Sequence, residues 1–99
     1  MSYLVKQTSL FTDWHGRLRD TRARIAIARR IERASLGNMG DSKSLGEGLS
    51  ELRIDMGPGY RVYYTVRGEV VIVLLAGGDK STQDADIRRA RQLAKEVGI

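Results

Sequence analysis

With 99 residues, no cysteine, one histidine and one proline, the chain can bury one hydrophobic core and can form no disulfide or thiolate metal site. Seventeen Lys+Arg against twelve Asp+Glu give a formal charge of +5, and thirteen of the cations are arginine, whose planar fork suits phosphate. That balance points to a polyanionic partner as readily as to a plain solvated surface, while no apolar run reaches the ~18 residues of a membrane span.

Leu4 to Ser9 reads as an edge strand. Ser9 stands where a helix N-cap belongs, with Leu10, Phe11, Trp14 and Leu18 following at helical spacing. Asp20 caps a second helix, predicted to run to about Leu36. Ala23, Ile27, Ile31 and Ala34 form its apolar stripe, and Arg22, Arg29 and Arg33 lie opposite. Gly37-Asn38 stops it, so the pair reads as a helical hairpin. The glycine-rich stretch from Asn38 to Gly48 is expected to be a mobile loop.

Leu49 to Met56 alternates, with Leu52, Ile54 and Met56 on one side and Glu51, Arg53 and Asp55 on the other. Gly57-Pro58-Gly59 is a turn. Tyr60 to Arg67 alternates again, separating Tyr60, Val62, Tyr64 and Val66 from Arg61, Tyr63, Thr65 and Arg67. A tight turn at Arg67-Gly68-Glu69 leads into Val70 to Ala76, a continuous apolar run that fits a central strand. Ser81 or Thr82 caps a last helix with Ile87, Ala90, Leu93, Ala94 and Val97 on its inner side, ending at Gly98. The expected fold is α+β, a single domain over residues 1–99. An N-terminal strand and helical hairpin pack on a mainly antiparallel sheet of about four strands, followed by a C-terminal helix.

Placing the helices on one face leaves Glu51, Arg53, Arg61 and Tyr63 on an open face, with Lys80 entering past the central strand. Clustered cations repel one another unless an anion joins them, and phosphate is the natural third party. The alternative is a solvated network in which Glu51, Asp55 or Asp79 pairs with them. Tyr63 can stack on a base or serve cross-strand packing. On this face assignment, removing Arg61 should cost only the roughly 0.5 kcal/mol typical of a surface change. Gly77-Gly78-Asp79-Lys80-Ser81 lacks the spacing of a nucleotide-binding phosphate loop. His15 reads as inert and Trp14 as packing.

Several blocks together carry a family resemblance: Phe11-Thr12-Asp13-Trp14, Leu18-Arg19-Asp20, Arg30-Ile31, Gly37-Asn38, Gly40-Asp41, Glu51-Leu52-Arg53-Ile54, Gly57-Pro58-Gly59-Tyr60-Arg61-Val62-Tyr63-Tyr64 and Gly77-Gly78-Asp79-Lys80-Ser81. From about Leu4 to Ala94 the chain resembles the RelE/ParE toxin superfamily, in its phage Gp49-like, HigB-type branch. The resemblance implies a cytoplasmic toxin of a type II toxin–antitoxin module. On the RelE side such a toxin is a ribosome-dependent endoribonuclease that cleaves mRNA; on the ParE side it poisons DNA gyrase without chemistry of its own. It implies a cognate helix-turn-helix antitoxin, with a toxin–antitoxin hetero-oligomer, and a ribosome and mRNA as further partners. No membrane partner, metal or other cofactor is expected. In cleavage a ribose 2′-OH attacks the adjacent phosphate. Arg61 and Arg53 would hold that phosphate, Lys80 would stabilise charge or donate a proton, and Glu51 would be the base. Tyr63, Lys43 and Arg67 would contact RNA. Members that use a histidine near the C-terminus have no counterpart here, since His15 is the sole histidine.

Overall fold

The computed structural model describes residues 2–97. Its elements are β1 (Leu4–Gln7), α1 (Ser9–Arg17), α2 (Thr21–Ser35), β2 (Ser42–Gly46), β3 (Leu49–Ile54), β4 (Tyr60–Arg67), β5 (Val71–Asp79), a 3-10 turn (Lys80–Thr82) and α3 (Gln83–Glu96). The five strands form one sheet in the order β1-β5-β4-β3-β2. β1 runs parallel to β5, and every other neighbouring pair is antiparallel. The architecture is α+β, with one strand more than the sequence predicts. Gly98, expected to end the last helix, lies outside the described residues.

That fifth strand corrects the loop expectation for Asn38 to Gly48. β2 pairs with β3, and arginines from two helices fix it at both ends. Arg30 of α2 donates to the carbonyls of Met39 and Asp41, each at 3.1 Å. Arg91 of α3 donates to those of Leu45 and Gly46 at 2.6 and 3.2 Å. Backbone acceptors leaving the ladder are thereby satisfied by charged donors.

Thr8, rather than Ser9, caps α1 by accepting from Phe11 N at 3.1 Å. Its hydroxyl also donates to the Leu75 carbonyl at 2.6 Å, which ties the helix to the central strand. Asp20 caps α2 as expected, accepting from the amides of Arg22 and Ala23. His15 joins the two helices: its Nε2 lies 3.0 Å from the Arg24 carbonyl, and its ring stacks on Phe11 at 5.7 Å.

The helices divide between the two faces of the sheet, contrary to the open-face expectation. Phe11, Ala23, Ile27 and Ala34 pack with Leu52, Ile54, Tyr60, Val62, Tyr64, Ile72 and Leu74 under α1 and α2. Ala90 of α3 packs with Leu49, Tyr63, Val73, Leu75 and Ala76 on the other face. A bulge makes this second layer possible. Tyr63 opposes Ala76 while Tyr64 opposes Leu74, so Leu75 is the extra residue and turns to the same side as Ala76.

Beyond the bulge, β5 continues through Gly77 and Gly78 where the sequence predicts its end. A Cβ on Gly77 would lie inside the Trp14 indole, and one on Gly78 would overlap the Asp86 carboxylate. The two glycines let α1 and α3 approach the same strand from opposite sides. No helix of the described residues is long and apolar enough to cross a membrane.

Candidate functional site

Strand register arranges the candidate residues in two rows on the α3 face. One row runs Lys43, Glu51, Tyr63 and Ala76 across β2, β3, β4 and β5; the next runs Arg53, Arg61 and Gly78 across β3, β4 and β5. Side chains directly opposite on one face are neighbours, so the alternation read from sequence does bring Glu51, Arg53, Arg61 and Tyr63 together.

Their exposure differs from expectation. Glu51 is 2% exposed and Tyr63 fully buried, because the first turns of α3 lie over them. Gln83 Nε2 donates to Glu51 Oε1 at 3.3 Å, and Arg61 Nε stands 3.5 Å from Glu51 Oε2. Both carboxylate oxygens are therefore engaged, which corrects the placement of Glu51 as an open-face base. Tyr63 is likewise no exposed stacking platform. Its hydroxyl has no hydrogen-bond partner among the described residues, and its pKa is pushed above the usual phenol value, first by burial and then by the negative charges of Glu51 and Asp86.

Arg61 is the point where this buried network reaches the surface. Its Nη1 donates to the Tyr60 carbonyl at 3.1 Å, its Nε faces Glu51, and its Nη2 has no hydrogen bond among the described residues. A guanidinium fixed from two sides is a preorganised donor for an anion. Arg53 is more exposed and grips Asp41 Oδ1 through Nε and Nη2 at 3.1 and 2.8 Å. The partner of Arg53 is thus Asp41, outside the set of Glu51, Asp55 and Asp79 considered from sequence.

Lys80 is exposed at the same end of the sheet. Its side chain runs along Gly59, where a Cβ would come within 2.9 Å of Lys80 Cε. Lys43 is exposed on the edge strand opposite Glu51. Arg67 does not belong to the group. Six residues from Arg61 on one strand, it stands about 20 Å away, and its Nη2 donates to the Ala94 carbonyl near the end of α3. Gln83, Asp86 and Asp41 complete the site and were not singled out from sequence. Only Gly78 signals one of them, since glycine inside a strand marks a close approach.

The sequence profile of a family described as phage-derived protein Gp49-like (DUF891) matches residues 18–96. The chain belongs to the Gp49-like family. An uncharacterized protein of Haemophilus influenzae is 48% identical over 99 residues, covering 100% of both chains. The Gp49-like chain also superposes on solved toxins. A mutant of the E. coli toxin RelE in the free state aligns with TM-score 0.70 at 15% identity, over 90% of this chain and 98% of RelE. A chain of the toxin–antitoxin complex RelBE2 from Mycobacterium tuberculosis aligns with TM-score 0.65 at 21% identity, over 81% of this chain and 100% of the other. The fold is RelE-like.

Proposed function

We propose that this Gp49-like protein is the toxin of a type II toxin–antitoxin module and acts as a ribosome-dependent endoribonuclease on mRNA. The observation that carries this reading is Arg61, oriented by buried Glu51 and offering Nη2 at the surface beside Arg53 and Lys80. In the proposed reaction a ribose 2′-OH gives up its proton to water and attacks the adjacent phosphate, the new 2′-O–P bond forming as the P–5′-O bond breaks, and negative charge grows on the phosphoryl oxygens. Arg61 neutralises that charge where it develops, and Arg53 steadies the phosphate. Lys80, on its flexible stem, donates a proton to the departing 5′-oxygen. Glu51 acts through Arg61 as a positioning residue. A site this small has few groups with which to orient a substrate, and a ribosome holding the mRNA supplies that orientation.

The RelE-like fold supports the toxin reading, and the solved RelBE2 complex supports a protein antitoxin as partner; we assign the helix-turn-helix type to it. Mapping of mRNA 5′ ends after a pulse of expression tests the proposal. New ends within translated regions, with naked RNA largely spared, are expected. Intact mRNA with double-strand DNA breaks would favour a gyrase target instead.

A further inference from the structure

Three acidic side chains belong to the Arg61 site, and two of them are already engaged. Glu51 is shared between Gln83 and Arg61, and Asp41 binds Arg53. Asp86 is the third, one turn beyond Gln83 on α3. Its Oδ2 accepts from Thr82 Oγ1 at 2.6 Å, and its Oδ1 has no hydrogen bond among the described residues. The side chain is half-buried and forms no ion pair among the described residues.

Gly78 shows where this carboxylate sits. It lies directly opposite Arg61 in the β4–β5 register, and a Cβ on it would come within 2.8 Å of Asp86 Cγ. The carboxylate thus occupies the space that a side chain at position 78 would fill. Opposed residues on one face have Cβ atoms about 4.5–5.5 Å apart, which puts the carboxylate no more than about 8 Å from Arg61 Cβ. After burial, Glu51 and then Asp86 raise the pKa of Tyr63, with Arg61 opposing, so Asp86 is electrostatically part of the same cluster. Favouring the helix dipole does not account for this placement. Asp84, exposed in the same first turn of α3, already does that, and needs no glycine in the sheet.

We propose that Asp86, with its free Oδ1 beside Arg61, is the general base of the reaction at that site. The water that receives the 2′-OH proton passes it on to Asp86 Oδ1, a relay through one water. The 2′-oxygen bonds to phosphorus, the P–5′-O bond breaks, and Lys80 gives its proton to the departing oxygen. The products are a 2′,3′-cyclic phosphate and a 5′-hydroxyl end. A proton returning from Asp86 to Lys80 through solvent resets both groups. This assignment rests on the ribonuclease reading and supplies the base that buried Glu51 does not.

The test measures single-turnover cleavage of a short synthetic mRNA programmed into ribosomes, by the full chain and its variants, alongside thermal melting. Asp86→Asn keeps an oxygen to accept from Thr82 and should melt like the parent, yet cut at least about 100-fold more slowly. A substrate with sulfur in place of the bridging 5′-oxygen has a leaving group that needs no proton. It should restore Lys80→Gln and leave Asp86→Asn slow. Asp86→Ala opens room for a small base, and added formate should raise its rate at least about 10-fold. Parental cutting by Asp86→Asn would overturn the assignment. So would a defect that the sulfur substrate repairs, or a folded Asp86→Ala that formate fails to restore. If both variants melt well below the parent, Asp86 is a structural residue and the assignment falls. A parent that leaves the programmed mRNA whole would overturn the ribonuclease reading and the base with it, whereas the other results leave that reading standing.

Discussion

Glu51 and Arg61 share a site that water barely reaches, with side chains 2% and 11% exposed. Breaking such a pair from one side strands a charge, at a cost of about 3–5 kcal/mol. Arg61→Ala is therefore expected to melt well below the parent, against the small cost that an open face predicts. Adding Glu51→Gln to Arg61→Ala removes the stranded carboxylate and should recover most of the lost stability without recovering mRNA cleavage. Thermal melting and 5′-end mapping on the single and double variants check both halves. Full cleavage by a folded double variant would remove Arg61 from the chemistry. Tyr63 gives a second expectation. Its folded pKa is raised from the usual 10.0, so below that pH both states keep the proton and stability is unaffected. Above it the unfolded chain ionises first, and stability falls as pH rises. Tyr63→Phe discards a hydroxyl that has no partner among the described residues, so at neutral pH its stability should lie within about 1 kcal/mol of the parent. Its alkaline limb should be flatter, as read by denaturant unfolding at pH 8 to about 11.

At the level of elements, the two glycines of β5 and the two arginines that clamp β2 decide the architecture. Gly77→Ala places a methyl against the chain's one tryptophan, Trp14. Overpacking of this kind costs about 1–3 kcal/mol or more, and the displaced indole should shift the tryptophan fluorescence maximum. Arg91→Ala releases the carbonyls of Leu45 and Gly46. Amide exchange across Ser42–Gly46 should then accelerate while the rest of the sheet stays protected, as hydrogen-exchange mass spectrometry can show. These elements also separate what the sequence reveals from what it hides. Local periodicity suffices for α2, β3 and β4, because each displays an apolar stripe or alternation of its own. β2 has the composition of a loop and becomes a strand by pairing with β3, its ends held by Arg30 of the preceding helix and by Arg91, 45 residues beyond Gly46. In the same way the alternation brings Arg53, Arg61, Glu51 and Tyr63 to one face. It carries no information that α3 would settle over two of them, since the bulge at Leu75 that makes room is a property of the β4–β5 register.

For the molecule as a whole, the parallel pairing at its N-terminal edge sets the order in which it can form. Leu4 to Gln7 hydrogen-bond with Val71 to Leu74, and the Thr8–Leu75 contact spans 67 residues. Elongating at about 5–20 residues per second, a ribosome needs on the order of 3–13 s to make that intervening stretch. Throughout that interval β1 has no partner, and a protease pulse on stalled nascent chains should cut there. Gln83, which grips the carboxylate that steadies Arg61, is made later still. If Arg61 carries the proposed cleavage, a newly made copy is inactive until its last helix is in place, so the onset of activity is timed by its own synthesis, and a binding partner already waiting at the ribosome has several seconds in which to meet it first.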